Sequence, residues 1–206
     1  MSATLKRPVV LVSSSVNGFG ELLDRLYALL TSFGYEVWTP HRGTLPVRSD
    51  RTATENRLQA VSECELFLGI ITSTYDFTAH QELQRAVLLN KPRLLLVHDH
   101  VVFARNLLRE LSFDTPEKRQ QLRLIERATS LDDLRVIDMY EEAIHIEESL
   151  ADHRSWVQEF RSDEDALLFA SAQFYRYQEV ERFIAENLAD TAKVRAEILR
   201  RKTGKV

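Results

Sequence analysis

The sequence is poor in cysteine, with Cys64 alone among 206 residues, and it has no surplus of positive charge. A single cysteine excludes a disulfide framework within the chain and a cysteine-rich metal site. Binding a nucleic acid through its phosphates normally needs clustered Lys and Arg, so the formal net charge of −4 argues against a nucleic-acid partner. The longest apolar stretches, such as Leu94 to Val97, are far too short to span a bilayer.

The remaining composition is that of an ordinary globular protein. Hydrophobic residues make up 44% of the chain and charged residues 28%, which predicts a real buried core. Met1 to Lys6 lead directly into the first strand pattern and leave no room for a signal peptide. Together with the free thiol, this predicts a cytoplasmic protein.

Strand and helix patterns alternate through the first half of the chain. Continuous apolar runs predict strands that are buried on both faces, and apolar residues at helical spacing lie between them. The predicted strands are Pro8–Val12, Tyr35–Trp38, Leu66–Thr72 and Arg93–Val97, and the predicted helices are Glu21–Phe33, Thr54–Cys64 and Glu82–Asn90. Such alternation implies an α/β fold with a parallel sheet, and ligands of these sheets bind beyond the carboxyl ends of the strands.

The second half of the chain is mostly helical in pattern. Arg135 to Tyr140 is compatible with a fifth strand or with a helical continuation, while Ser162 to Asp165 resembles a helix N-cap with an acidic first turn. We therefore predict an α/β domain over residues 1–112 and a mainly helical extension over 113–206. This extension is expected to pack on the first domain or to mediate self-association.

Polar side chains follow the first strand, where an anion is expected to bind in sheets of this type. The loop holds Ser13, Ser14, Ser15 and Asn17. Hydroxyl groups, an amide and nearby glycines can present backbone N–H groups to a phosphate. Because the glycines match neither a dinucleotide-binding fingerprint nor a Walker loop, a flexible turn without ligand remains an alternative.

Two further charged residues are candidates for the same cleft. Glu82 opens the predicted helix after the third strand, and a carboxylate there can act as a nucleophile or stabilise an oxocarbenium-like centre when a sugar–base bond breaks. The alternative is an acid that only offsets the helix dipole. Arg42, in the loop after the second strand, can pair with a phosphate or remain solvated.

A histidine pair ends the fourth strand, in the sequence His98-Asp99-His100. Histidines at i and i+2 of a strand lie on one face and can bind a metal. Since no third ligand is indicated by its spacing, we predict an exposed loop here and no metal site.

Several of these segments form an ordered set that resembles a known family. The set comprises the strand ending in Ser13-Ser14-Ser15, Gly34-Tyr35, Val61–Ile71, Tyr75 and the run Glu82-x3-Ala86-x4-Lys91-Pro92. Over about residues 8–100 it resembles an uncharacterised TIR-like domain found at the N-termini of many bacterial STAND-type NTPases and related defence proteins. That domain is similar to TIR domains and to nucleoside 2-deoxyribosyltransferases.

The resemblance implies a flavodoxin-like, doubly wound parallel sheet of four or five strands with a cleft for NAD or a nucleoside. TIR enzymes and deoxyribosyltransferases cleave an N-glycosidic bond with a glutamate on the helix after a central strand, and Glu82 matches that position. Ser13 to Ser15 match the first-loop serines, and Tyr75 matches the aromatic residue after strand three. TIR-like enzymes usually act as oligomers, which implies self-association or a protein partner through the C-terminal helices.

Two functional hypotheses follow. In the first, the protein cleaves the N-glycosidic bond of NAD or a nucleotide in bacterial defence or signalling, with Glu82 as the catalytic residue, and it needs no other cofactor. In the second, the same fold senses a nucleotide without turnover or serves as a protein-interaction module. Release of nicotinamide from NAD distinguishes them.

Overall fold

The computed structural model describes residues 7–15, 19–125, 130–149 and 155–175. Its five strands are β1 (Val9–Ser14), β2 (Glu36–Trp38), β3 (Leu66–Ile71), β4 (Arg93–His98) and β5 (Ser155–Phe160). They form one sheet in the order β2-β1-β3-β4-β5, and all neighbouring strands are parallel. This is the strand order of a doubly wound, flavodoxin-like fold, so the predicted fold class is confirmed.

Helices cover both faces of the sheet. They are α1 (Gly20–Ser32), α2 (Ala53–Glu63), α3 (Phe77–Leu88), α4 (Asp99–Glu110), α5 (Pro116–Arg119), α6 (Arg135–Ser149) and α7, which is described over residues 163–175. One core cluster joins the sheet to α2, α3, α4 and α6, and the other joins it to α1 and α7. The central strands are therefore buried on both sides, as their continuous apolar sequences predict.

The chain after residue 112 contributes both a strand and helices to this architecture. Arg135 to Tyr140 begins α6 and is not a fifth strand, because the buried side chains of Val136, Met139 and Ala143 recur at helical spacing. The fifth strand is β5, which pairs with β4 along its whole length. The outer strand of the sheet is therefore Ser155–Phe160, a segment that was not predicted to form a strand.

The start of α3 differs from the predicted start, and the difference changes the position of Glu82. Asp76 is the N-cap, and its carboxylate accepts a hydrogen bond of 2.7 Å from the backbone N–H of Ala79. The helix therefore begins at Phe77, and Glu82 lies in its second turn. Glu82 therefore does not offset the helix dipole in the first turn, which was the alternative predicted for it from the sequence.

Among the described residues, every helix is too short or too polar to serve as a membrane span. The C-terminal residues predicted to form further helices, from 176 onward, lie outside the described residues.

Candidate functional site

The carboxyl ends of β1 and β3 lie side by side at the centre of the sheet. From β1 the chain crosses to β2 on one side, and from β3 it crosses to β4 on the other, so the winding direction changes between these strands. A crevice opens above such a switch point, and ligands of doubly wound sheets bind there. The β1 end is formed by Ser13 and Ser14, which pair in register with Gly69 and Ile70 of β3.

Three side chains from different elements meet at this switch point. The Ser13 hydroxyl donates a hydrogen bond of 2.5 Å to Glu82 Oε2. Arg57 donates from Nε to Glu82 Oε1 at 2.6 Å and from Nη2 to Oε2 at 2.9 Å. We call these residues the Ser13–Arg57–Glu82 cluster; the Glu82 side chain has 0% exposure, while that of Arg57 retains 17%.

Local structure explains why the three side chains converge. Successive side chains of a strand point to opposite faces, so Ser13 points to the same face as Leu11, beneath α2 and α3. A capping box fixes the start of α2: Glu55 N donates to Thr52 Oγ1, and Thr52 N donates to the Glu55 carboxylate. Arg57 follows within the next turn of that helix.

Within this cluster, Arg57 and Glu82 form an ion pair on the face of the sheet that holds the first hydrophobic core cluster. Burial disfavours the charge of Arg57, but the hydrogen bonds and the attraction of Glu82 outweigh burial and raise the Arg57 pKa above its ordinary value. Arg57 is therefore charged at any physiological pH. A buried carboxylate is tolerated only with such compensation, and the three donors fix its orientation.

The other residues of the first loop make different contacts. Ser14 donates to the carbonyl oxygen of Ser15 at 2.9 Å, and Ser15 exchanges a hydrogen bond of 2.7 Å with Thr72, directly after β3. The Ser15–Thr72 contact ties the ends of β1 and β3 together beside the cluster. Asn17, also predicted to bind a ligand, lies outside the described residues.

Tyr75 lies on the side of α3 that faces α6. Its hydroxyl group is 3.1 Å from His80 Nδ1, and the guanidinium of Arg135 lies 4.3 Å from the centre of its ring. Its backbone N–H donates to Asp132 at 3.0 Å. These three partners, His80, Arg135 and Asp132, all lie outside the Ser13–Arg57–Glu82 cluster.

Arg42 is held on the opposite side of the sheet, against α1. Its Nε donates to Asp24 at 2.8 Å, and its guanidinium lies 4.7 Å from the centre of the Tyr27 ring. The structure thus brings Ser13 and Glu82 together, whereas Arg42 and Tyr75 contact other partners.

The sequence reasoning missed Arg57. Arg42, in the loop after the second strand, was predicted as a candidate, whereas Arg57 lies inside the helix and was not. One signal was available: Arg57 lies three and four residues before Ala60 and Val61, on the face that the helix buries. An arginine on a buried face requires an acidic partner.

A cavity of the described chain lies apart from this cluster. It has a volume of about 520 Å³ and is lined by α5, the start of α6 and the segment between them, including Arg119 and Arg135. Arg119 is fully engaged there, with hydrogen bonds of 2.6 Å from Nη2 to both Asp138 and Glu141. The cavity lining contains three arginines (Arg119, Arg123 and Arg135) and three aspartates (Asp132, Asp133 and Asp138), so its formal charges balance and favour a ligand of neither sign.

The segment His98-Asp99-His100, predicted to be an exposed loop, is instead the end of β4 and the start of α4, and it holds one group of possible metal ligands among the described residues. Nitrogen and oxygen atoms of His98, Asp99 and His100 all lie within 4.8 Å of one another at the end of β4. Burial lowers the pKa of His98 below its ordinary value, against the opposing effect of Asp99.

Comparison with known proteins gives a family and two structural relatives. A family model described as a domain of unknown function (DUF4062) matches residues 9–155. No curated protein matches the sequence. The CMP N-glycosidase BcmB of Clostridium botulinum is 13% identical, with a TM-score of 0.48, and the match covers 80% of this chain and 98% of that chain.

The second relative is the set of TIR domains in the activated Roq1 resistosome, which directly recognises the pathogen effector XopQ. It is 10% identical, with a TM-score of 0.41, and the match covers 66% of this chain and 99% of that chain. TIR domains were also named in the sequence resemblance, together with nucleoside 2-deoxyribosyltransferases.

Proposed function

The chain belongs to the DUF4062 family, and we propose that this member cleaves the N-glycosidic bond of NAD or of another nucleotide. One observation supports the proposal above others: a buried carboxylate, Glu82, is held in a fixed orientation by Ser13 and Arg57 at the switch point of a doubly wound sheet. A carboxylate oriented at the expected ligand-binding edge is the group that glycosidic cleavage requires.

In the proposed reaction, the bond between the ribose carbon and the base nitrogen breaks, and the base leaves with the bonding electrons. Glu82 stabilises the positive charge that develops on the sugar until water adds to the sugar carbon, or it forms a covalent bond to that carbon that water then hydrolyses. The nicotinamide of NAD⁺ leaves as a neutral molecule and needs no proton. A neutral base takes up a proton as it leaves, and the water that adds to the sugar supplies it.

Access to the carboxylate depends on Arg57. Glu82 itself has no exposed surface, whereas the Arg57 side chain is 17% exposed and borders the solvent. In the proposed cycle, the phosphate of the ligand draws the guanidinium away from Glu82, because a guanidinium binds phosphate as readily as carboxylate. The freed carboxylate oxygen then faces the ribose.

The test is an assay of base release by the purified full chain. NAD and the four common ribonucleoside monophosphates are incubated separately at high protein concentration, and free base is quantified by chromatography. We expect release from at least one nucleotide, and a loss of about a thousandfold in Glu82→Gln. Glu21→Gln, which changes an exposed glutamate of α1, is the matched control and should retain the activity.

Two results would contradict the proposal. Base release that persists in a folded Glu82→Gln protein removes Glu82 from the reaction. Absence of release from every nucleotide, with or without crowding agents, removes the activity.

A second candidate function is favoured by the same geometry. Because Glu82 is fully buried and bonded by three donors, the cluster also suits a nucleotide sensor in which the carboxylate only maintains the site. Equilibrium dialysis with radiolabelled NAD would then show binding without base release. A role in bacterial defence, with assembly through the C-terminal helices, belongs to both candidates and rests on the sequence resemblance.

A further inference from the structure

The segment His98-Asp99-His100 changes from strand to helix within three residues. β4 ends at His98, and α4 begins at Asp99. On a continuing strand, the aspartate would point away from both histidines. The helix start instead places Asp99 Oδ1 at 3.0 Å from His98 Nδ1 and at 3.9 Å from His100 Nε2.

From this geometry we propose that His98, Asp99 and His100 bind a divalent transition-metal ion of the Zn²⁺ type. Zinc binds histidine nitrogen and carboxylate oxygen at roughly 2.0–2.2 Å, so two tetrahedral ligand atoms lie about 3.3 Å apart. The three ligand atoms lie within 4.8 Å of one another. The His100 side chain is 55% exposed, so its ring has room to rotate toward the other two ligands.

The surroundings of His98 hold one ligand in place. Its ring packs edge-on against Phe19 at 5.6 Å and Phe160 at 5.2 Å between ring centres, and its side chain is only 14% exposed. A ligand whose orientation is set by packing loses little conformational entropy when a metal binds.

Two features of the segment disfavour the binding of a cation, and both effects are small. The N-terminus of α4 carries a partial positive charge, and His98 Nδ1 accepts a long hydrogen bond of 3.3 Å from the His100 N–H. Coordination by three ligands is much stronger than either effect. Arg161 approaches Asp99 through Oδ2 at 3.6 Å, which leaves Oδ1 to the metal.

The donor set determines the class of metal. Two imidazole nitrogens and one carboxylate oxygen suit Zn²⁺ and similar ions, whereas Mg²⁺ and Ca²⁺ prefer oxygen ligands throughout. Three protein ligands leave a fourth position for water or for a bound molecule. The site lies at the carboxyl end of β4, on the same edge of the sheet as the Ser13–Arg57–Glu82 cluster but independent of Glu82.

The experiment measures metal binding by the full chain without an affinity tag. The chelator-treated protein is titrated with Zn²⁺ by calorimetry and with Co²⁺ by visible absorption, which reports the coordination geometry. We expect a single equivalent of Zn²⁺ to bind, a tetrahedral Co²⁺ spectrum, and no displacement by Mg²⁺. Absence of stoichiometric Zn²⁺ binding, or displacement of Zn²⁺ by Mg²⁺, overturns the proposal.

Variants locate the metal. Asp99→Asn and His100→Ala change partly exposed side chains, and each should weaken Zn²⁺ binding by at least about tenfold. The matched control is His41→Ala, which removes another imidazole paired with an aspartate, Asp24, at 3.1 Å but outside the one group of possible metal ligands that the described residues contain. Zn²⁺ affinity that is unchanged in both Asp99→Asn and His100→Ala overturns the assignment, as does an equal loss in His41→Ala.

Discussion

The guanidinium of Arg57 bonds both carboxylate oxygens of Glu82, with Nε 2.6 Å from Oε1 and Nη2 2.9 Å from Oε2. The two residues belong to α2 and α3, which pack side by side on the same face of the sheet. Each charge compensates the burial of the other, so the pair links the two helices. The same pair positions the carboxylate that we propose to be catalytic.

Replacement of one member of this pair should cost more stability than replacement of both. We expect Arg57→Met to lower the free energy of unfolding by about 3 kcal/mol, because it leaves Glu82 buried without its counter-charge. The double variant Arg57→Met/Glu82→Leu should recover most of that loss. Urea denaturation of the single and double variants measures the coupling.

The control for this cycle is Arg48→Met. Arg48 pairs with Asp50, and both side chains are more than half exposed, at 63% and 61%. An exposed pair contributes little to stability, because water screens the attraction. If Arg57→Met were no more destabilising than Arg48→Met, the Arg57–Glu82 pair would not be the stabilising link that its burial indicates.

Gly69 should not tolerate a side chain, although it is surrounded by apolar residues. It lies in the middle of β3, and an added Cβ would lie 2.7 Å from Leu95 Cδ2 and 3.0 Å from the Phe67 ring. We expect Gly69→Ala to destabilise the protein by about 1–3 kcal/mol through overpacking. Gly20→Ala, where the nearest atom is at an ordinary 3.6 Å, is the control.

Thermal unfolding followed by circular dichroism compares the two glycine variants. A melting temperature for Gly69→Ala equal to that of Gly20→Ala would show that Leu95 moves aside without cost.

The N-cap of α2 should contribute measurably to stability, because this helix presents Arg57. Thr52 accepts a hydrogen bond of 3.2 Å from Glu55 N, and Thr52→Ala removes it at a cost of about 1 kcal/mol. The control, Thr54→Ala, makes the same substitution in the first turn of α2, at a residue that is not the N-cap. Chemical denaturation of the two variants should therefore differ; equal midpoints would contradict a stabilising capping box.

Cys64 should be unreactive in the folded protein at neutral pH. Burial raises the pKa of its thiol from 9.0 to about 11, although Lys91 opposes this rise. Since the thiolate is the nucleophile, alkylation should be slow until the pH approaches the raised value. The rate of carbamidomethylation as a function of pH, followed by mass spectrometry, checks the prediction, and rapid labelling near neutral pH would contradict it.

The same shift predicts a loss of stability at high pH. The thiol of the unfolded chain ionises near pH 9, and the folded thiol ionises near pH 11. The contribution of the neutral thiol to the free energy of unfolding is complete below pH 9 and is lost as the pH rises to 11. Between pH 9 and 11, the melting temperature of Cys64→Ala should therefore fall less steeply than that of the unchanged protein.

The sequence alone predicted the elements that depend on neighbouring residues. Apolar runs such as Leu66–Thr72 correspond to β3, and helical spacing of leucines predicted α1 to within one residue at each end. The parallel order of the first strands followed from the alternation of these elements. Because the carboxyl ends of parallel strands share one edge, the pattern also predicted that Ser13 and Glu82 lie near each other.

The tertiary structure decided the contacts between distant parts of the chain. Ser13 and Glu82 are 69 residues apart, and Arg57 is 25 residues from Glu82, so no local pattern records their bonds. The fifth strand was decided in the same way, since β5 is stabilised by its pairing with β4. Periodicity reports which face of an element is buried, but only packing determines which buried charges meet, and the proposed site depends on such a meeting.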